Sequence, residues 1–328
     1  ARAHVSNQAH LSVLSYDVGI GFDRVYSTRR YLQGVAEATA LGVSMTTKGT
    51  EYHDGEKMTL LTADEYLEIR QELGRYHRWL ETQKHLFGAE RRNLAPVGLL
   101  YPGERLWLDW HRIAPLFFGA GQSLTASGIP WRVVFPGEKP EDLVALFTFD
   151  DEDYQIGGSF ALQKKVEITR LLGWNLPRES LANRSGWINS FTTQVVQRMM
   201  KAYSANKVVR SISDRLGLQK VVTQTPLYSM PGGEQRQALL EALPAEIFPR
   251  VFEEQPVLIE VWDNQGEVQV HLVNYSSKPQ EAHIDFGYPI RVRLVQAPGE
   301  EEIDRQMQDK EIEIPINIYR ILVIEKIL

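Results

Sequence analysis

The chain has 328 residues, 43% of them hydrophobic and 24% charged, with a formal net charge of −6. That size and balance describe a globular protein of two or three domains, and an acidic chain with no long basic run argues against nucleic acid as a partner. Cysteine is absent, which excludes disulfides, thiolate zinc sites and cysteine nucleophiles. No apolar run reaches the ~18 residues of a membrane helix, and no signal-peptide pattern opens the chain. The expectation is a soluble protein with no membrane partner, the cytoplasm being the favoured compartment, although secreted bacterial proteins also lack cysteine. The first residue is Ala1 rather than Met, as in a processed chain or a piece of a longer one.

In chain order, residues 11–16 read as a strand. Residues 30–41 read as a helix with Leu32, Val35, Ala36 and Thr39 on one face and Gly42 as its stop. Residues 43–47 form a second strand, and Asp54-Gly55 is a turn signal. Residues 62–87 predict a long helix. Thr62 and Glu65 have capping-box spacing, Tyr66, Ile69, Leu73, Tyr76, Leu80 and Phe87 share one face, and Gly88 ends it.

The central stretch, 95–135, predicts strand, helix, strand. Val97 to Leu100 is a short apolar run, and Trp107, Trp110, Ile113, Leu116, Phe117, Ala120 and Leu124 recur at helical spacing. Gly128 stands where a glycine beyond the helix end belongs, Ile129-Pro130 prevents continuation, and 131–135 is again apolar. Such a unit implies parallel strands and a right-handed crossover. Residues 143–149 add a third strand, running into Asp150-Asp151-Glu152-Asp153. Helices are expected at 160–172, 190–204, 206–214 and 235–243, a short strand at 221–222 and a loop at 226–233. No phosphate-binding glycine loop is present. From Pro256 onward, short alternating strands separated by Gly, Pro and Asn turns predict an antiparallel β-sandwich. The chain divides near residues 88 and 250.

Several of these stretches carry a resemblance. They are Tyr76-His77-Arg78-Trp79-Leu80, Leu86-Phe87, residues 95–101, Ala120-Gly121-Gln122-Ser123-Leu124-Thr125, Gly128-Ile129-Pro130 and the closing Val270-His271-Leu272-Val273-Asn274-Tyr275. In order and spacing they resemble the junction between barrel and accessory domains in family 42, β-galactosidase-like, glycoside hydrolases. The resemblance implies an α/β protein with a flavodoxin-like parallel-sheet domain, preceded by a (β/α) barrel remnant and followed by an antiparallel β-sandwich. The corresponding bounds are 1–88 for the barrel remnant, 89–250 for the flavodoxin-like domain and 251–328 for the sandwich. It further implies a carbohydrate partner, a homo-oligomer and no cofactor. The family's acid/base glutamate belongs to an earlier barrel strand, and its nucleophile maps onto no residue here. The catalytic residues therefore stay unassigned, because hydrolysis by paired carboxylates needs both groups flanking the bond.

Residues that could meet a substrate fall in three places. Lys48 and Glu51 follow the strand at 43–47, where a barrel carries its active site, and could take sugar hydroxyls; a polar surface loop has the same composition. Trp107, Asp109, Trp110 and His111 combine rings that stack on a pyranose with a carboxylate for its hydroxyls, but Trp110 also belongs to the apolar helix face. Asp150 and Asp151 sit where open α/β sheets bind ligands, and equally where acids favour a helix start. Trp262, His271 and Tyr275 could bind sugar, yet strand aromatics pack cores. His53, His77, His85 and His111 give no metal motif, and Ser123 and Ser229 lack a nucleophile elbow. The first reading is a glycoside-hydrolase-like protein of which this chain holds mainly accessory and oligomerising domains. The alternatives are a non-catalytic carbohydrate-binding or interaction protein, and an unrelated enzyme working at Asp150 and Asp151.

Overall fold

In the computed structural model the described residues are 13–16, 28–47, 51–53, 56–58, 64, 67–87, 91–103, 110–138, 142–148, 164–167, 233–252, 255–298 and 307–327. Strand β1 (Val13–Tyr16), helix α1 (Thr28–Ala40) and strand β2 (Ser44–Thr47) form a two-stranded parallel unit. Gly42, at φ +75°, ends α1. Its N–H donates to Thr39 O at 3.1 Å and that of Val43 to Ala38 O at 2.9 Å, the paired closing bonds of a Schellman motif. Strands β3 (Glu51–His53) and β4 (Glu56–Met58) make a separate hairpin. Helix α2 spans Leu67–Thr82, and a 3₁₀ turn at Lys84–Phe87 tightens its exit. The helix starts later than the spacing predicts, and the expected capping pair Thr62 and Glu65 lies outside the described residues.

Strand β5 (Arg92–Asn93) leads into the parallel sheet. Its strands are β6 (Val97–Leu100), β7 (Trp131–Val134), β8 (Ala145–Thr148) and β9 (Lys164–Glu167), in the order β7-β6-β8-β9. Helix α3 (Trp110–Ala126) crosses from β6 to β7. It ends as Gly128 predicts, with Gly128 N–H on Thr125 O at 3.1 Å and Ile129 N–H on Leu124 O at 3.0 Å. Phe117, Ala120 and Leu124 bury against Val97, Leu99, Val133 and Phe147, so β6 and β8 are buried throughout. Strand β9 corrects the helix expected at 160–172. Its four residues fit either period, and the free edge of β8 offers a full ladder from Ala145↔Lys164 to Thr148↔Glu167. The helices expected at 190–204 and 206–214 and the strand at 221–222 lie outside the described residues. Helix α4 (Gly233–Glu241) adds Leu239 to the same core.

The remaining strands are β10 (Arg250–Val251), β11 (Val257–Asn264), β12 (Glu267–Asn274), β13 (Gln280–Gln296), β14 (Met307–Ile316) and β15 (Tyr319–Lys326). They form one curled antiparallel sheet in the order β10-β13-β15-β12-β11-β5, with β14 also pairing β13. Register shifts between Asp285 and Ile290 and between Val292 and Leu294 bend the long β13, so that it serves β10, β14 and β15 in turn. The inner face buries Ile259, Val261, Val270, Leu272, Ile284 and Ile312 among others. The outer face of β11, β12 and β15 is covered by α1 and α2, where Val35, Ala36, Ala40, Tyr76 and Leu86 meet Leu258, Val273, Tyr319, Ile321 and Val323. Burial on both sides is why residues 257–262 and 319–324 are buried at every position and apolar at all but Glu260 and Arg320, rather than alternating. Hydrogen bonds fix this layer. Arg29 donates to Ser276 O and to Asn317 Oδ1, and Gln33 Nε2 donates to Asn274 O at 2.8 Å.

Candidate functional site

The carboxyl edge of the parallel sheet is where the fold would place a ligand. With β6 first in sequence, β7 lies on one side of it and β8 on the other, so the winding order reverses between β6 and β8 while all strands stay parallel. The Tyr101 ring follows β6 and packs on Phe117 (6.0 Å between centroids) and Phe135 (5.0 Å). This aromatic wedge closes the β6–β7 side. On the other side β8 ends at Thr148, fully buried with an Oγ1 that has no hydrogen-bond partner among the described residues.

Topology gathers part of the expected set here. Trp110 and His111 are in the first turn of α3, which leaves the sheet from the carboxyl end of β6, and β8 ends beside β6 in the same direction. Asp150 and Asp151 follow β8 by two and three residues but, like Trp107, Asp109 and Lys48, lie outside the described residues. Glu51 opens β3, in a hairpin belonging to another sheet.

A second concentration of polar groups lies between the antiparallel sheet and α2. Glu260, Gln269 and His271 are fully buried, and Tyr319 is 1% exposed. Tyr319 Oη and His271 Nδ1 are 2.6 Å apart, and His271 Nε2 and Gln269 Oε1 3.3 Å. A neutral imidazole suits both contacts, accepting from the Tyr319 hydroxyl and donating to Gln269. The Arg91 guanidinium stacks over Trp262 at 4.6 Å and Phe87 at 5.6 Å, while Asn93 Nδ2 donates to Glu260 Oε2 at 3.3 Å. Shifted titrations mark the set. Burial, then the charge of Arg91, holds His271 well below the ordinary imidazole value, and burial raises Tyr319 and Tyr76. Yet α2 and the 3₁₀ turn seal the cluster, and Trp79 and Phe87 pack edge-on against Tyr319 and His271. It joins two layers and meets no solute.

The sugar-binding reading of Trp262 and His271 is thereby corrected: both are core, Trp262 donating Nε1–H to Ala40 O at 2.9 Å. Tyr275 alone of the three reaches the surface. Asn274, in the same 270–275 stretch, is a turn organiser. Its Nδ2 donates to Lys278 O at 2.8 Å and Asn317 O at 2.9 Å, and its Oδ1 accepts from Ser276 N–H.

The depressed His271 sets a pH dependence. The unfolded chain takes up a proton near the ordinary value of 6.5 and the folded chain does not, so stability is full above that value and is lost as pH falls through it. The slope from this residue approaches about 1.4 kcal/mol per pH unit. Thermal unfolding followed from about pH 7.5 down to about 5.5 is expected to show it, and His271→Gln is expected to flatten it; an unchanged slope in that variant removes the assignment.

A third grouping was invisible in the sequence. One donor atom each from Glu281, His283 and Glu313 lie within 4.8 Å of one another on the outward face of β13 and β14. Some thirty residues separate Glu313 from Glu281 and His283, and only the register His283↔Glu313 brings them together.

No protein-family profile matches the chain, and no curated protein matches it by sequence. Solved structures do. The α-L-fucosidase isoenzyme 2 from Paenibacillus thiaminolyticus aligns with 97% of this chain and 60% of its own length, at 12% identity and a TM-score of 0.50. A GH42 β-galactosidase from G. stearothermophilus aligns with 93% of this chain and 52% of its own length, at 10% identity and a TM-score of 0.43. The chain thus spans less than two thirds of either enzyme, and at these identities the likeness is one of fold: a glycoside-hydrolase-like arrangement.

Proposed function

We propose that this chain is part of a glycoside-hydrolase-like protein acting on carbohydrate, and that it supplies mainly accessory and oligomerising domains without a full catalytic barrel. The observation that carries the reading is the alignment of a solved glycosidase along 97% of this chain, while the chain accounts for only 60% of that enzyme. Local features support it in order. The β1-α1-β2 unit followed by α2 suits the end of a (β/α) barrel across residues 1–88. The order β7-β6-β8-β9 is that of a flavodoxin-like sheet across 89–250. The curled antiparallel sheet stands where a β-sandwich domain, 251–328, is expected. The 89–250 segment is the oligomerising part on this reading, and sugar would be met at the sheet edge where α3 begins with Trp110 and His111.

Chromogenic glycosides test the proposal. The purified 328-residue chain is expected to show no turnover of fucosides or galactosides, because the reading gives it only the end of a barrel and hydrolysis needs paired carboxylates flanking the bond. Measurable hydrolysis by this chain alone sinks the accessory reading.

A further inference from the structure

We propose that Glu281, His283 and Glu313 form a surface site for a divalent transition-metal ion, with zinc the ion that fits. The three donors sit on a built platform. Glu281 and His283 are two residues apart on β13 and therefore point to the same face, and Glu313 lies directly opposite His283 on β14. Ala282, Ile284, Ile312 and Ile314, which alternate with them, are buried in the core, so the backbone beneath the donors is fixed. Phe252 and Gln255 fix it further. Phe252 N–H donates to His283 O at 2.8 Å, and Gln255 bridges the two donor residues by giving Nε2–H to Glu281 O at 2.9 Å and accepting from His283 N–H at 3.3 Å.

Distances suit a metal. Zinc–oxygen and zinc–nitrogen bonds of about 2.0–2.2 Å put neighbouring donors roughly 3–3.6 Å apart. His283 Nδ1 and Glu313 Oε1 already stand 3.2 Å apart. Glu281 is exposed and closes the remaining gap by turning its own side chain.

Charge points the same way. Glu281, Glu311 and Glu313 share this outward face by strand alternation, while Asp285 is buried with the Arg250 guanidinium beside it at 3.6 Å. A plain cross-strand histidine–glutamate pair would account for one carboxylate. It leaves Glu281 as a second negative group crowded on the same point, where like charges are unfavourable. A divalent ion satisfies both, and the imidazole selects zinc, nickel or cobalt over magnesium or calcium. Water would complete the coordination.

Zinc titration of the chelator-treated full chain by calorimetry, with cobalt absorption as a second readout, tests this. A site with a micromolar dissociation constant is expected in the parent chain. It should disappear in His283→Ala and weaken by about 10- to 100-fold or more in Glu281→Gln and Glu313→Gln, since even outer-shell changes cost that much. All three side chains are at least partly exposed, so circular dichroism should report an unchanged fold. An isotherm in His283→Ala equal to that of the parent, no zinc uptake by the parent, or an undiminished affinity in Glu281→Gln each overturns the three-donor site.

Discussion

Replacing Arg91 with methionine is expected to lower the unfolding free energy by about 1–3 kcal/mol, the scale of a buried cation–ring stack and of a hydrogen bond to a charged group. Burial acts first on the guanidinium and lowers its pKa, while Tyr319 and then Glu260, itself fully buried on β11, favour its charged form from the layer between sheet and helix. Methionine keeps the aliphatic stem but not the guanidinium that stacks on Trp262 and Phe87, so charge and stacking are removed together. The companion change Glu260→Gln separates the causes. In the double variant Arg91→Met/Glu260→Gln most of the loss should return if charge attraction is the cause, because the buried carboxylate is then neutral. If the double variant is as unstable as Arg91→Met alone, the guanidinium acts through stacking and the electrostatic account fails. Denaturant titration of the four chains gives the cycle directly.

Gly128→Ala is the second large effect, at about 2–6 kcal/mol, built from two costs. At φ +65° an alanine is held in the left-handed region, worth about 1–3 kcal/mol. Its Cβ would stand 2.6 Å from Val251 Cβ and 2.9 Å from Val251 O, and relieving such overpacking costs about 1–3 kcal/mol more. The approach is close because Val251 N–H donates to Gly128 O at 2.9 Å, tying the end of α3 to β10. Gly103 provides the control, with φ +59° and nothing among the described residues within 4 Å of an added Cβ. Gly103→Ala bears the conformational cost alone. Equal losses in the two variants would show that the close approach contributes nothing.

Elements held by local rules were legible in the sequence. Strands β6 and β7 follow from apolar runs, and the ends of α1 and α3 from Gly42 and Gly128, because a left-handed terminus selects glycine whatever packs around it. Elements decided by distant partners were not. Strand β9 owes its state to the open edge of β8, and the curl of the antiparallel sheet to irregularities within β13 that no turn signal announces. The polar clusters divide the same way. His271 could be marked as a polar residue on a strand, but only the fold shows that α2 buries it. The grouping of Glu281, His283 and Glu313 depends on register, which a single sequence leaves open. Of the expected site residues, Trp110 and His111 share a sheet edge with the end of β8, while Glu51 stands in a hairpin of its own.

Strands β5 and β10, two residues each, occupy the two ends of the antiparallel sheet's strand order. They flank the parallel segment in sequence, and Arg132 of β7 reinforces the junction by donating to Asn93 O at 2.6 Å. Short edge strands discourage pairing with a second molecule. They also impose a timetable on the nascent chain. Asn93 meets its partner Trp262 only after about 170 more residues have been made, roughly ten to thirty seconds at ribosomal speeds of about 5–20 residues per second. The parallel sheet thus has time to assemble first, with the apolar sides of α1 and α2 still waiting for the strands that will cover them.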